Sequence, residues 1–540
     1  MISGNRRGFI RKMAALAALP VAERAASRNL PSGSRQEQAL RLRESAALFQ
    51  SRQPQASHPT NGDETSLPNY IASFCKGLPH TQLGEVEPSA YQSLLSALSE
   101  GTVAALEGID RGSGAKLVDP LAGLAFQMEG EDSHCLGMVP PPAFSSAASA
   151  DEMVELYWQA LARDVPFTDY DTSPITAAAA QDLNKLSAFK GPAAGGHVTT
   201  DTLFRGNVNG GLVGPYVSQF FWQPVPLNST YTPQMYREPM ASIDYLNNFA
   251  EWLALQTGVP PFIAWTPDPQ LWYIHDGRSL AEWVHYDFLY QAYHNAALIL
   301  LDQTPDTVLD TNPYLNPTNP YKSTKVETGF GTFGAPHICC ILGTVTTAAL
   351  YAAWYQKWFV HRRLRPEEFG GRVHQTKVGT AQYPISSDLL NSAALPVVYA
   401  ANSTYLLPQS YPEGCPLHPS YPAGHATVAG ACSATLKAFF DETQIVTNCV
   451  VASDDGLSLN PYTGPALTVG GEINKLASNI HMGRDFAGIH YRSDGEAGFL
   501  LGEQVAIAIL QDMVNTYAED ISGFQFTLLD GTPVTIGPRS

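Results

Sequence analysis

"LHPSYPAGHATVAG", Leu417 to Gly430, sets a Pro-Ala-Gly break ahead of an apolar, helix-like run, with one histidine before the break and one just after it. A helix that opens there presents bare backbone N–H groups and the positive end of its macrodipole, which is an anion site. Gly424 lets backbone approach a ligand closely, and His425 stands on the first turn. Outward from this helix, apolar residues recur with helical period over Glu152–Arg163, Ala241–Gln256, Ser279–Leu301, His337–Arg363, Leu389–Ser403, Gly424–Phe440 and Gly495–Tyr517. Only "FQFTLLDGTPVTI" near the end alternates apolar and polar residues, around Asp530-Gly531, and it predicts a β-hairpin. The chain therefore reads as mainly α, with long loops supplied by 40 prolines and 44 glycines.

A net charge of −18 argues against nucleic acid and anionic membranes as partners, so any anion site must be a local basic pocket. Charged residues make up 15%, below the roughly 25% of ordinary globular chains, and this favours a homo-oligomer whose subunits cover one another's surface. The seven cysteines show no CxxC spacing, which disfavours zinc and thioredoxin-type sites; the odd number leaves at least one outside any intramolecular disulfide. Cys339 and Cys340 lie in an apolar run and read as buried thiols. That run, Ile338 to Tyr355, has 18 uncharged residues, the threshold for a membrane helix. Its glycine and threonines, and its continuation into "QKWFVHRRLRP", make a core helix the better reading, with no membrane span. At the N-terminus, Arg6-Arg7 before an apolar stretch resembles a twin-arginine export signal and implies export; an exposed basic helix in a cytoplasmic protein is the other reading. Residues 1–60 read as a leader and one helix. "GFGTFG" (residues 329–334) matches a dinucleotide-binding pattern, but no buried strand precedes it and Trp354 stands where an acid is needed, so it reads as a loop before a helix beginning near Pro336.

Three segments share one electrostatic theme. "WYQKWFVHRRLRP" carries Lys357, His361, Arg362, Arg363 and Arg365; at helical spacing 357, 361 and 365 fall on one face, and Pro366 closes the helix. Taken alone it is a basic helix end facing its own dipole. The second segment is the opening stretch, in which His425, and more so His418, could each be structural. The third, "HMGRDFAGIHYRSDGEAG", puts Arg484 six positions before His490 and Asp494 four after it, where a carboxylate can anchor the far nitrogen of a ligating imidazole. Together they supply one lysine and two arginines for a tetrahedral oxyanion, a glycine N–H, one imidazole to bond the central atom and one to move protons.

This order resembles the vanadium-dependent haloperoxidases, whose vanadate pocket is shared with the acid phosphatase and lipid phosphatase superfamily. The signature reads here as Lys357…Arg365-Pro366, Pro422-Ala423-Gly424-His425 and Arg484…His490…Asp494, and His418 ahead of His425 looks like the bromoperoxidase branch. "HPTNGDE", "KGLPHTQLGEV", "MVELYWQALARDVPFTDY" and "FGTFGAPH" look like bromoperoxidase segments, so the likeness spans roughly residues 58–540. It implies one large domain over residues 56–540 with a helical core of two four-helix bundles, preceded by an extension over 1–55. It implies vanadate held by His490 as axial ligand, with Lys357, Arg365, Ala423, Gly424, His425 and Arg484 around it. His425, His418 and Lys357 become the catalytic residues, Asp494 or a carbonyl orients the His490 ring, and Trp354 either walls the halide entrance or simply packs in the core. The activity implied is oxidation of bromide, and of iodide, by hydrogen peroxide to a hypohalite-level halogen that halogenates an organic acceptor. One departure stands out: the family's serine is Ala423, which removes a hydroxyl donor and predicts weaker holding of the cofactor. The alternatives are a phosphatase acting through a phosphohistidine and a non-catalytic oxyanion-binding protein. A structural divalent cation in the loop Asp302–Asp310 stays open, as do the acceptor and the exact halide preference.

Overall fold

The apolar periodicity becomes a succession of helices in the computed structural model, which describes residues 33–227, 229–302 and 312–539. Among those residues the helices of eight or more residues begin with α1 (Arg35–Ser51), α2 (Pro88–Glu100), α3 (Ala147–Leu161) and α4 (Pro174–Leu183). They continue as α5 (Phe249–Gln256), α6 (Gly277–Tyr286), α7 (Gln291–Leu301), α8 (Ala335–Tyr355) and α9 (Pro366–Val378). The last are α10 (Ala394–Asn402), α11 (Gly424–Phe439), α12 (Val469–Phe486) and α13 (Arg492–Met513). The helix expected inside residues 1–60 is α1. Arg6-Arg7 and, apart from Asp302, the acidic loop Asp302–Asp310 lie outside the described residues.

The expected helical-bundle core is centred on α8, α11, α12 and α13. Glycine sets its tightest contact: a Cβ at Gly502 would sit 1.8 Å from the Thr427 carbonyl oxygen, and one at Gly430 2.2 Å from that of Phe499. With those side chains absent, α11 and α13 lie nearly backbone to backbone, so residues at the start of each share one space. Helix α8 and the turn after it, Ala335–His361, are long and apolar enough to cross a membrane by length and composition. Here Ile338, Ile341, Leu342, Val345, Ala349 and Ala352 are buried against the core, as a core helix requires. Cys339 and Cys340 are not buried thiols: they point away from that buried face, Cys339 half-buried and Cys340 exposed.

Several predicted boundaries move for local reasons. The run 241–256 becomes helical only at Phe249, because the Asn248 side chain caps α5 by accepting from the Ala250 and Glu251 N–H groups. The run 279–301 splits into α6 and α7 at Asp287, whose backbone is extended (φ −70°, ψ 149°). The run 389–403 likewise breaks before α10. Pro366 does not close a helix; it opens α9 at a position where the missing N–H costs nothing, while Glu368 accepts the Arg365 N–H at 2.6 Å. Helix α12 was not anticipated because it has no amphipathic stripe: Lys475, Asn479, His481, Arg484 and Asp485 are buried along with its apolar residues. The C-terminal hairpin pairs β5 (Phe524–Thr527) with β6 (Pro533–Ile536) as expected. Hairpins β1–β2 (Val225–Leu227, Thr230–Thr232) and β3–β4 (Val450–Ala452, Leu459–Pro461) were missed, since three residues per strand are too few for alternation to register.

Candidate active site

Lys357 and Arg365 do not share a helical face. After α8 the chain makes one π-type turn over Gln356–His361, passes through a left-handed Arg362 (φ 38°) and runs extended to Arg365. His361 is turned aside, edge-on to the Tyr421 ring at 4.8 Å, and burial pushes its imidazole down to about 3. Arg362 leaves to pair with Glu64 at 2.7 Å. Lys357 stays inside, with Nζ donating to the carbonyls of Pro419 (2.7 Å) and Ser420 (2.8 Å). Those two bonds use two of its three donors. Burial, reinforced by Arg365 and Arg484, holds the ammonium well below its ordinary range.

Arg365 is fully buried and ties two histidines together. Its Nη1 donates to the Ile489 carbonyl (3.0 Å) and lies 3.0 Å from His490 Nε2; its Nη2 lies 3.0 Å from His418 Nδ1. His490 Nδ1 faces Asp494 Oδ2 at 2.8 Å. A nitrogen facing a carboxylate carries the proton, so Nε2 keeps its lone pair and points to the cations. Burial, followed by Arg365, Lys357, Arg484 and His425, depresses His490 well below the ordinary imidazole range, which keeps it neutral. Of the predicted residues, Arg365 and Asp494 contact His490 directly.

Asp494 is itself fixed by groups to which the sequence reading gave no role. Arg363 Nη1 donates to Asp494 Oδ1 (2.7 Å), Arg363 Nη2 to Glu152 (3.0 Å), and the Ser420 hydroxyl to Asp494 Oδ2. The Arg363 guanidinium also lies 3.8 Å from the Tyr491 ring centre. Arg363 was visible in the basic run, but nothing in its spacing told it from its neighbours.

His425 is the second residue of α11, and its Nε2 lies 2.8 Å from Asp287 Oδ1. Asp287 was missed because it is 138 residues away and belongs to no motif; it arrives where α6 ends. Burial lowers the His425 pKa; Asp287 opposes the shift, and Arg484 and Lys357 add to it. A Cβ on Gly424 would come within 3.1 Å of the Trp354 ring, so glycine gives that indole room to lie across the helix start. Trp354 in turn packs 4.8 Å from His418. Ala423 is buried at the N-cap and offers no side-chain acceptor, which leaves the leading N–H groups of α11 without a side-chain cap. Arg484 donates from Nη1 to the Val284 carbonyl (2.8 Å), while its Nε is buried with no hydrogen-bond partner.

These residues fit a compact oxyanion. Lys357, Arg365 and Arg484 are buried cations; the nearby Asp494 is already shared with Arg363 and His490, and an orphaned N–H remains on Arg484. Buried charge without a counter-ion is strongly unfavourable, so the donor set calls for an anion. A neutral Nε2 beside it can bond the central atom of a metal oxide.

Comparison with known proteins agrees with that chemistry. The chain is 34% identical over 529 residues to a vanadium-dependent bromoperoxidase of Ascophyllum nodosum, covering 94% of this chain and 93% of that protein. The chain belongs to the vanadium-dependent bromoperoxidase family. A bromoperoxidase of the same name from Corallina officinalis is 33% identical over 567 residues, covering 88% of this chain and 92% of that one. The family model described as the VCPO second helical-bundle domain matches residues 337–519, which contain every predicted site residue. The homohexameric structure of the second vanadate-dependent bromoperoxidase from Ascophyllum nodosum superposes with a TM-score of 0.89 at 28% identity, over 98% of this chain and 96% of that one.

Proposed function

We propose that this protein is a vanadate-dependent haloperoxidase that oxidises bromide, and iodide, with hydrogen peroxide and releases a halogenating species to an organic acceptor. The carrying observation is that the buried Arg365 Nη1 lies 3.0 Å from His490 Nε2 while Asp494 Oδ2 holds His490 Nδ1 at 2.8 Å, with the buried Lys357 and Arg484 adding positive charge and an unpartnered N–H. His490 Nε2 would ligate vanadium, oriented through Nδ1 by Asp494. Lys357, Arg365, Arg484 and the Gly424 N–H would hold the oxide oxygens. Bound vanadate supplies a Lewis acid that activates peroxide without changing its own oxidation state.

The chain's own groups handle protons and position. His425 Nε2 is engaged by Asp287, so Nδ1 is the free base that accepts a proton from hydrogen peroxide; such a base is typically worth about 10²–10⁴-fold. A depressed pKa keeps that nitrogen unprotonated at neutral pH. His418, held neutral by burial and by Arg365, positions Arg365. Trp354 walls the entrance above Gly424. By analogy with the homohexameric relative, subunits of this chain associate into a homo-oligomer.

Bromination of a phenolic dye with peroxide and bromide, with and without added orthovanadate, tests the reading. Wild-type protein should show orthovanadate-dependent bromination, and His490→Ala should fall to background. Phosphate-ester hydrolysis without bromination would instead establish a phosphatase.

A further inference from the structure

A second cluster of ligating side chains lies at the start of α6, and none of the chemistry above uses it. Asp276 caps that helix: Oδ1 accepts from the Ser279 N–H (2.8 Å) and hydroxyl (2.7 Å), while Oδ2 faces His275 Nε2 at 3.7 Å. His275 Nδ1 lies 3.1 Å from the Tyr273 carbonyl, so it is the protonated nitrogen and Nε2 carries the lone pair. Glu238 completes the group, and one ligand atom from each residue lies within 4.8 Å of the others. Glu238 is only 9% exposed, and its Oε2 is buried with no hydrogen-bond partner.

Charge balance points the same way. The two arginines nearby are committed elsewhere: Arg278 to Asp164 and Asp244, Arg163 to Asp244. Among the described residues neither Glu238 nor Asp276 forms an ion pair with lysine or arginine. Two buried carboxylates with only an imidazole between them are costly unless a cation joins them.

We propose that Glu238, His275 and Asp276 bind a divalent transition metal, taking Zn²⁺ in preference to Ca²⁺. Mixed imidazole and carboxylate donors suit zinc, whereas calcium takes six to eight oxygens, more than three side chains supply. Ligands about 2.1 Å from a tetrahedral zinc stand about 3.4 Å apart, so the 3.7 Å His275–Asp276 pair needs a small adjustment and the Glu238 carboxylate closes in from within 4.8 Å. His275 also lines a cavity of about 160 Å³ with Phe167, Tyr216 and Trp222, so that member of the cluster is reachable from a cavity. Helix α6 ends beside the Asp287 that holds His425, so the ion braces the far end of that helix.

Full-length, vanadate-loaded protein freed of other metals by a chelator is titrated with Zn²⁺, Mn²⁺ and Ca²⁺ by calorimetry, and metal content is measured after gel filtration. One Zn²⁺ per chain should bind and raise Tm, and Ca²⁺ at the same concentration should not bind. Glu238→Gln and His275→Gln should each weaken Zn²⁺ binding at least about tenfold and abolish the Tm rise. The two variants are independent, so one that fails to fold leaves the other decisive. Absence of stoichiometric zinc, equal binding of calcium, or variants that bind zinc like wild type would overturn the site and leave Glu238 as a protonated buried acid.

Discussion

Ala423 occupies a position where a hydroxyl would have two claims on it. As the N-cap of α11, serine would satisfy a leading N–H and gain roughly 0.5–2 kcal/mol over alanine. Directed at the oxyanion instead, it would add a charge-assisted bond of about 1.5–3 kcal/mol, roughly ten- to hundredfold in affinity. We expect Ala423→Ser to tighten orthovanadate binding about tenfold or more, measured by titrating the apoenzyme; a higher Tm with an unchanged Kd would show that the hydroxyl caps the helix. Asp287 poses a separate question of sign. Its carboxylate favours the protonated form of His425, against burial, which lowers that pKa. Asp287→Asn therefore lowers the pKa further, and the acid limb of the kcat/KM profile for bromination should move to lower pH. A limb that moves upward would reject the assignment of His425 as base. His418 and His490 are also neutral in the fold. Below the ordinary value of 6.5 the unfolded chain binds protons that the folded chain does not, so stability should fall with pH there.

At the scale of elements, the closeness of α11 and α13 seats Ala423, just ahead of Gly424 and His425, on Asp494, whose carbonyl accepts the Ala423 N–H at 2.9 Å. Gly502→Ala would put a methyl 1.8 Å from the Thr427 carbonyl oxygen, forcing the helices apart. Overpacking of this kind costs about 1–3 kcal/mol. We expect a lower Tm and weaker vanadate binding together. Gly343→Ala on α8 is the control: no atom lies within 4 Å of its Cβ, so only helix propensity changes and stability should hold or rise by about 0.5–1 kcal/mol. If Gly502→Ala behaves like that control, close helix contact is not what sets the site. The π-type turn after Lys357 belongs to this scale too. It breaks the helical phase between Lys357 and Arg365, which is why periodicity placed them on one face and the backbone does not.

Across the whole molecule, a surface poor in charge meets large exposed apolar side chains, among them Met128 at 92% and Val326 at 93% exposure. We expect light scattering to give a mass several times the 58.4 kDa chain; a single-chain mass would remove the oligomer from the proposal. The residue types of the pocket, its helix-start glycine and histidine, and the anchoring of His490 by Asp494 four positions on were all legible in the sequence, because each is local chemistry carried by a few neighbouring residues. Asp287, the network of Glu152 and Arg363 behind Asp494, and the cluster of Glu238 with His275 and Asp276 were not. The buried polar face of α12 was equally hidden, since a helix enclosed on all sides shows no amphipathic period. Contacts between residues tens to hundreds of positions apart leave no spacing to read; packing of the folded chain chooses which charges meet.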